Sequence, residues 1–331
     1  MKRFIKIIII FVVIVASISA LVCCIIDPYN VFHTGSIRDN GVEADSNYIK
    51  MTYILKNPDK FSSFLFGSSR AGFINAEKIG DDCYNMWYPQ GMPAEHLANL
   101  QTFISKGIIP EKIYIALDSA SYMNDPSLHN SMHTYASYEY LKSHPLKFVT
   151  MYMDPAVALQ SLPLIISHTP DKAYSESFYS SGSQIYYGEI GTHAFQETPY
   201  VGPEFMLDET LDTIREIAEL CDENGIELIV FTNPMYKSTF EFSLELDYTD
   251  FMKKLAEITP YWNFSGYNDI TCDSSYYRDA SHFLAEVGDM MIECMINGEV
   301  DEKLYEQGFG VYINAENVDE WISVIESAAA K

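Results

Sequence analysis

Short apolar runs rich in β-branched and aromatic residues alternate with amphipathic segments along most of this 331-residue chain. Such alternation is typical of a parallel sheet with helices on both faces, so the predicted fold class is α/β, a three-layer αβα doubly wound parallel sheet. A hydrophobic content of 48% is enough to fill its core. We predict strands over 63–66, 83–86, 112–117, 227–232 and 261–264, and helices over 93–105, 207–223, 247–258 and 282–296.

Residues 122–201 break this alternation. They are rich in Tyr, Ser, His and Met, contain no clear strand, and are too long for an ordinary loop. We predict that they are an insertion over the strand ends, within an α/β domain that spans 61–298. Residues 27–60 would then be a linker and lead-in, and residues 299–331 a C-terminal extension with one strand and one helix.

The N-terminus contains an apolar run over 7–26 that follows the basic residues Lys2, Arg3 and Lys6. At about 1.5 Å per residue, the run is long enough to cross the roughly 30 Å core of a bilayer. A cleaved signal peptide has a shorter apolar region and a small-residue cleavage site, and a buried core helix is a third alternative. We expect a retained single-pass signal anchor over 1–26, with the C-terminal domain outside the cytoplasm.

The formal net charge of the chain is −25 at pH 7. An acidic surface repels the phosphates of nucleic acids, so the composition disfavours a nucleic-acid partner. Four cysteines follow the apolar run without forming a CxxC pair, and either disulfides or buried free thiols would suit them. These cysteines are Cys83, Cys221, Cys272 and Cys294.

No cofactor and no metal are expected from the motifs of this chain. The insertion does contain three histidines, His129, His133 and His144, which leave a metal site as the lesser alternative. Exposed loop histidines are the favoured interpretation, because no acidic or cysteine partners lie at ligand spacing.

The first candidate catalytic residue is Ser69, in the segment Phe-Leu-Phe-Gly-Ser-Ser-Arg over 64–70. Ligands bind beyond the carboxyl ends of the strands in an open α/β sheet, and Ser69 follows a predicted strand directly. Gly67 permits a sharp exit from that strand, and the turn that follows presents backbone N–H groups to a developing oxyanion. The alternative is an ordinary turn in which Ser68 or Ser69 only caps a helix.

The second candidate motif is the pair Asp279 and His282 near the C-terminus. Their spacing places both side chains on one side of a turn, so the carboxylate can hold one imidazole nitrogen while the other faces a serine. The alternative is that Asp279 caps the helix predicted after it. With Ser69, the two residues complete the chain order serine, aspartate, histidine, which recurs in α/β hydrolytic enzymes.

These blocks resemble the SGNH (GDSL-like) hydrolase superfamily, whose fold is flavodoxin-like. Gly67, Ser68 and Ser69 match its first block, with Ser68 in place of the usual aspartate, and the Asp-x-x-His pair matches its last. Residues 85–91 look like the second block, which supplies an oxyanion donor from a glycine, here Gly91. The third block, Gly-x-Asn-Asp, is not matched, because Asp118 follows the middle strand where that block would lie.

The closer resemblance is to a membrane-anchored branch that includes the teichoic acid D-alanylation protein and alginate-type polysaccharide O-acetylation proteins. It implies an extracytoplasmic acyltransferase or esterase that acts on a cell-envelope polysaccharide or teichoic acid-like polymer, beside a membrane-bound O-acyltransferase. Ser69, His282 and Asp279 would be catalytic, and the amides of Ser69 and Gly91 would form the oxyanion hole.

Further substrate contacts are expected from residues near these blocks. Arg70 follows Ser69 and is a candidate to hold an anionic donor or a phosphate-bearing polymer, with an ordinary surface arginine as the alternative. Asp118, at the end of the middle strand, is the other candidate contact. Tyrosines of the insertion either stack on sugar rings or simply pack in the interior. They are Tyr135, Tyr138, Tyr140, Tyr186 and Tyr187.

A second hypothesis is a catalytically inactive protein that binds glycan or serves as a scaffold for the membrane acyltransferase. The missing third block supports it, because an ionised Asp118 cannot donate a hydrogen bond to an oxyanion.

Overall fold

The structure is a computed structural model that describes residues 1–32, 40–167, 172–185 and 205–330. Its strands are β1 (Ser63–Phe66), β2 (Cys83–Asn85), β3 (Lys112–Leu117), β4 (Glu227–Thr232), β5 (Tyr261–Asn263) and β6 (Val311–Ile313). Its helices up to β3 are α1 (Lys2–Ile26), α2 (Ser46–Lys56), α3 (Ala76–Ile79) and α4 (Pro93–Ser105). Those after β3 are α5 (Tyr138–Ser143), α6 (Pro145–Tyr152), α7 (Pro155–Ser167), α8 (Lys172–Tyr179), α9 (Leu207–Asn224), α10 (Lys237–Leu244), α11 (Tyr248–Ile258), α12 (Ala285–Asn297), α13 (Glu302–Glu306) and α14 (Val318–Ala329).

The six strands form one sheet in the order β2-β1-β3-β4-β5-β6. The first five are parallel, and β6 pairs antiparallel with β5. The sheet therefore has a switch point between β1 and β3: β2 is added on one side of β1, and the later strands are added on the other side. In such sheets the crevice at the carboxyl ends of the two strands is the usual ligand site.

Alternate residues of the central strands enter two separate cores, which confirms the three-layer prediction. Phe64 and Ile115 pack with residues of α4, α9 and α11 on one face. Leu65 and Tyr114 pack with Val287 and other residues of α12 on the opposite face. Because side chains of a strand point alternately to the two faces, both faces of the sheet are covered by helices.

All five strands predicted from the sequence are present, with bounds that differ by at most one residue. The helices over 93–105, 207–223 and 247–258 are likewise found at or within one residue of their predicted bounds. The C-terminal strand and helix are present too. The strand, β6, pairs with β5 at the edge of the main sheet. The helix, α14, packs against α11.

The predicted insertion is helical in its described parts, 122–167 and 172–185, where no strand is found. Ser181, in its second described part, is attached to the carboxyl end of β2, because the backbone N–H of Asn85 donates to the carbonyl of Ser181 at 2.7 Å. The predicted residues Tyr186 and Tyr187 lie outside the described residues.

Among the described residues, one continuous helix, α1, is long and apolar enough to cross a membrane by length and composition. It begins at Lys2, before the apolar run, and Cys23 is its buried residue. Within the described part of the chain, α7 is the helix with the most extensive packing against α1.

A buried carboxyl group makes a pH-dependent contribution to the stability of this fold. Asp45 caps the N-terminus of α2 by accepting the backbone N–H of Tyr48 at 2.9 Å, and it accepts the hydroxyl of Tyr152 at 2.6 Å. Burial raises the pKa of Asp45 to about 7, against the opposing effect of these hydrogen bonds. Between about pH 4 and 7, native Asp45 therefore keeps a proton that the unfolded chain releases, and its contribution to stability falls as the pH rises.

We predict that Asp45→Asn becomes more stable relative to the parent protein as the pH rises from 4 to 8. An asparagine still caps the helix but has no proton to lose. The gain should reach at most a few kcal/mol, since each tenfold change in proton affinity is worth about 1.4 kcal/mol. Thermal unfolding of the full chain in detergent at pH 4, 6 and 8 measures it. Asp301→Asn, at the exposed N-cap of α13, is the matched control, and parallel trends for the two variants would contradict the prediction.

Candidate active site

The three predicted catalytic residues converge at the carboxyl edge of the sheet. Ser69 Oγ lies 2.9 Å from His282 Nε2. On the other side of the ring, His282 Nδ1 lies 2.9 and 3.0 Å from the two carboxylate oxygens of Asp279. All three distances are within hydrogen-bond reach, and the hydrogen bonds run in series from hydroxyl to imidazole to carboxylate.

The loop that carries Asp279 and His282 is held by the same carboxylate. Asp279 Oδ1 accepts the backbone N–H groups of Ser281 and His282 at 2.8 and 2.9 Å. The Arg278 N–H also donates to the His282 carbonyl at 2.9 Å. The prediction of a helix from 282 is therefore wrong at its start, because these bonds stabilise a turn and α12 begins at Ala285.

The electrostatic surroundings of Asp279 keep it ionised. Partial burial acts to raise the pKa of this carboxyl, but the His282 ring and the two backbone N–H groups outweigh it and lower the pKa below its usual value. An ionised carboxylate at this position favours the Nδ1–H tautomer of His282, which leaves Nε2 as an acceptor for the Ser69 hydroxyl.

The turn that presents Ser69 is a 3-10 helix over Ser69–Phe73. Gly67 precedes the turn at a position with no room for a side chain, since a Cβ there would lie 2.6 Å from Ala71 Cβ and 2.9 Å from Ala116 Cβ. The end of the turn is held by Asn85, whose side-chain amide donates to the carbonyls of Ala71 and Ile74 at 2.8 and 3.0 Å. The first residue of the predicted second block thus supports the nucleophile turn.

Arg70 connects the turn that carries Ser69, which we call the nucleophile turn, to the end of β3 and to the loop over 278–282, which we call the histidine loop. Its Nη1 forms a buried ion pair with Asp118 at 2.8 Å. Its Nε donates to the Ser281 carbonyl and its Nη2 to the Ser281 hydroxyl, both at 2.9 Å. Although Arg70 lines a cleft beside Ser69, the guanidinium is already engaged by these partners, and its role as a substrate contact stays a prediction.

Asp118 has no exposed surface with which to contact a substrate directly. One carboxylate oxygen accepts the side-chain amide of Asn233 at 2.8 Å, and the other accepts the Ala120 N–H at 2.8 Å. The Ser68 hydroxyl lies 3.4 Å away. The expected substrate contact is therefore replaced by a structural role, in which Asp118 balances the charge of Arg70.

Gly91 does not provide the expected oxyanion donor. Its N–H donates to the Tyr88 carbonyl at 3.0 Å, which closes a β-turn with Pro89 in second position and Gln90 in third. A glycine is needed here for space, because a Cβ would lie 2.6 Å from the Gly67 carbonyl oxygen. The Ser69 N–H, the other expected donor, lies at the first position of its 3-10 turn, where no partner exists within the turn.

Two clefts meet at Ser69, and Gln90 also lines both. Gln90 has a φ of 54°, a left-handed backbone conformation that is uncommon outside glycine. The smaller cleft, of about 240 Å³, is also lined by Ala120, Met123, Asn124, Thr239 and Phe242. The larger, of about 470 Å³, contains His282 and Asp279 and is also lined by Phe73, Trp87, Tyr135, Phe178, Gln184 and Arg278.

A buried lysine that the sequence did not indicate supports the wall of the larger cleft. Lys50 is fully buried on α2, and its Nζ donates to the carbonyls of Asn85 and Gly182 at 2.8 and 2.7 Å. The ammonium group also lies 4.6 Å from the centre of the Trp87 ring, and burial lowers its pKa well below the ordinary value. Lys50 thereby holds Gly182 of the insertion beside Trp87.

The remaining predicted residues have structural contacts. His129 Nδ1 pairs with Glu95 at 2.8 Å, the His133 ring packs against Tyr29, and His144 stacks on Tyr140. No group of three or more His, Cys, Asp or Glu side chains that could hold a metal occurs in the described ranges. Tyr135 reaches the larger cleft, whereas Tyr138 packs against Tyr48. The six cysteines, all among the described residues, are free thiols.

Comparison of the chain with protein-family models, with curated proteins and with solved structures gave no match.

We predict that Asp118→Ala destabilises the protein by roughly 3–5 kcal/mol, because it leaves the buried guanidinium of Arg70 without a counter-charge. Thermal unfolding of the full chain in detergent measures the loss. Asp319→Ala removes an exposed partner of Lys253 and is the matched control, with an expected loss of about 1 kcal/mol or less. Equal losses in the two variants would show that the buried pair has no special role.

Proposed function

We propose that this chain is a membrane-anchored, serine-dependent acyltransferase or esterase of the SGNH type, acting on a cell-envelope polysaccharide or teichoic acid-like polymer. The observation that carries the proposal is the unbroken hydrogen-bond series from Ser69 through His282 to Asp279. A hydroxyl beside an imidazole that a carboxylate orients is the arrangement that activates a serine for acyl chemistry.

The geometry supports a two-step reaction. Ser69 Oγ attacks the carbonyl carbon of an acyl ester while His282 Nε2 takes its proton, and the tetrahedral intermediate collapses as His282 returns that proton to the leaving alcohol. A second hydroxyl then attacks the acyl-serine, losing its proton to Nε2, and Ser69 regains a proton as the new ester or free acid forms. Asp279 holds the ring in place throughout.

The oxyanion of the intermediate needs hydrogen-bond donors near Ser69. With the Gly91 N–H bound to Tyr88, we assign the role to the Ser69 N–H and to the side-chain amides of Gln90 and Asn124, which line the smaller cleft. An amide side chain donates without charge and suits this role, as a carboxylate does not.

Several features of the fold support the SGNH-type assignment. The strand order of β1–β5 is the flavodoxin-like order 2-1-3-4-5, and Ser69 follows β1 at the switch point. The histidine loop precedes α12, the position that the superfamily gives to Asp-x-x-His. α1 would anchor the domain to the cell membrane, with the site outside the cytoplasm.

Transfer is the favoured reaction. An anchored enzyme gains access to an acyl donor delivered at the membrane, for example by a membrane-bound O-acyltransferase, and tethering raises the effective concentration of such a partner. The larger cleft is long enough to border both His282 and the insertion, and its aromatic lining of Phe73, Trp87 and Tyr135 suits sugar rings.

A second candidate is a catalytically inactive glycan-binding or scaffold protein. The engaged N–H of Gly91 favours it, because the oxyanion hole lacks one donor that the resemblance implies. The two candidates differ in whether the Ser69 hydroxyl is reactive, which can be measured directly.

We predict that a fluorophosphonate probe labels the full chain in detergent, and that Ser69→Ala and His282→Ala each abolish labelling. Asp279→Asn should slow it by a few orders of magnitude, since the wrong imidazole tautomer is then favoured. Ser68→Ala is the matched control, because it removes the neighbouring hydroxyl but leaves the hydrogen-bond series intact.

Equal labelling of the parent and Ser69→Ala proteins would favour the inactive binding protein. If Ser69 is labelled, release of acid from an acyl ester with and without added envelope polymer distinguishes hydrolysis from transfer. Acylated polymer that appears only with reactive Ser69 would identify a transferase.

A further inference from the structure

Helix α7 has apolar residues on two opposite faces and contains no charged side chain. One face is buried and includes Ala158 and Ser161. The other is exposed and carries apolar residues three or four positions apart: Ala156, Leu159, Pro163 and Ile166. Leu159 and Ile166 are 60% and 76% exposed. Gln160 and Ser167 also lie on the exposed side, but an exposed apolar stripe on a helix is normally covered by protein or by lipid.

Helix α6 extends this apolar surface. Leu146 and Val149, one turn apart, are 82% and 45% exposed. α6 and α7 meet at a bend of 51°, and the two helices together are long and apolar enough to pass as a broken membrane span. We call five of the exposed apolar side chains of α6 and α7 the apolar ridge: Leu146, Val149, Leu159, Pro163 and Ile166.

The ridge is next to the end of the anchor. α7 packs on α1. The buried and partly buried residues of α1 cluster at its C-terminal end, around Cys23. The side chain of Asn40 donates to the carbonyl of Asp27, the residue that ends α1, and the adjacent Gly41 lies against Leu164 of α7. α7 therefore crosses α1 close to the point where an anchor of this length leaves the bilayer core.

We propose that the apolar ridge is inserted into the membrane–water interface beside α1, with a lipid bilayer as its partner. Continuity with α1 selects lipid, because a bilayer that surrounds the anchor also reaches the helix packed across the anchor's end. An interfacial helix is held by burial of its apolar face among the headgroups and upper acyl chains, and the ridge presents such a face. An exposed, contiguous apolar surface of this kind is unusual on a water-facing domain.

Membrane insertion of the ridge would bring the larger cleft close to the lipid surface. Glu43, Ala44 and Ser46 line that cleft and lie two to five positions after Gly41, which is next to Leu164 of α7. The benefit of this position rests on the proposed function, since only an acyl-transfer site gains from a donor that arrives in the membrane. The membrane contact itself does not rest on it.

Tryptophan reporters in the full chain test the proposal. Leu159→Trp and Ile166→Trp report on the ridge, Ile14→Trp reports on α1, and Ile296→Trp, an exposed apolar position on α12, is the matched control. Each variant is reconstituted in phosphatidylcholine vesicles with and without brominated phosphatidylcholine, which quenches tryptophans in contact with acyl chains. The parent protein, with its three native tryptophans, gives the background.

We expect lipid quenching of the two ridge reporters to exceed that of Ile296→Trp several-fold, with the quenching of Ile14→Trp as the upper reference. Ridge reporters that remain unquenched while Ile14→Trp is quenched overturn the proposal, and leave a protein partner or another segment of the chain as the cover. An unquenched Ile14→Trp overturns it as well, because α1 is then not in the bilayer. Fluorophosphonate labelling of the same vesicles reads the active site separately, so failure of one inference is distinguishable from failure of the other.

Discussion

The guanidinium of Arg70 connects three segments that are far apart in the chain. It pairs with Asp118 at the end of β3 and makes two hydrogen bonds to Ser281 in the histidine loop, while its own backbone follows Ser69. A buried charge is tolerated only when it is paired and its hydrogen-bonding groups are satisfied, and the planar fork of an arginine fixes the direction of each bond. The distance between Ser69 and His282 therefore depends on a residue that neither donates nor accepts the transferred proton.

A second set of interactions fixes the site from the β2 side. The Asn85 amide holds the end of the nucleophile turn, and the Asn85 carbonyl accepts the ammonium group of Lys50. Lys50 also donates to the carbonyl of Gly182, so this part of the insertion is attached to β2, whose Asn85 supports the turn that carries Ser69. Because Lys50 is fully buried, movement of the insertion away from it would break the hydrogen bond to Gly182 and leave a buried polar group with one partner fewer. The wall of the larger cleft is accordingly coupled to the nucleophile turn.

The strands and the convergence of Ser69, His282 and Asp279 could be predicted from the sequence, because both depend on local patterns and on chain order at the sheet edge. The helix predicted from 282 failed at its start because Asp279 uses its carboxylate to hold a turn, which apolar periodicity does not register. The hydrogen bond from the Gly91 N–H to Tyr88 could have been predicted from Pro89, because proline favours the second position of a β-turn. The pairing of Asp118 with Arg70 and of Lys50 with Asn85 had no such signal, since these partners are 35 or more positions apart in the chain.

The two clefts and the membrane contact together constrain how an acyl group could pass through the site. Ser69 borders both clefts, so a donor and an acceptor need not occupy the same space when each reacts with the serine. A single helix followed by a linker would leave the domain free to rotate about the membrane normal and to tilt. The proposed second contact at the apolar ridge, on a helix packed against α1, would remove much of the tilt and hold one cleft wall at a constant height above the lipid. Preorganisation of this kind lowers the entropy that must be lost when a membrane-delivered donor meets the nucleophile, which is a benefit to transfer but not to hydrolysis of a soluble ester.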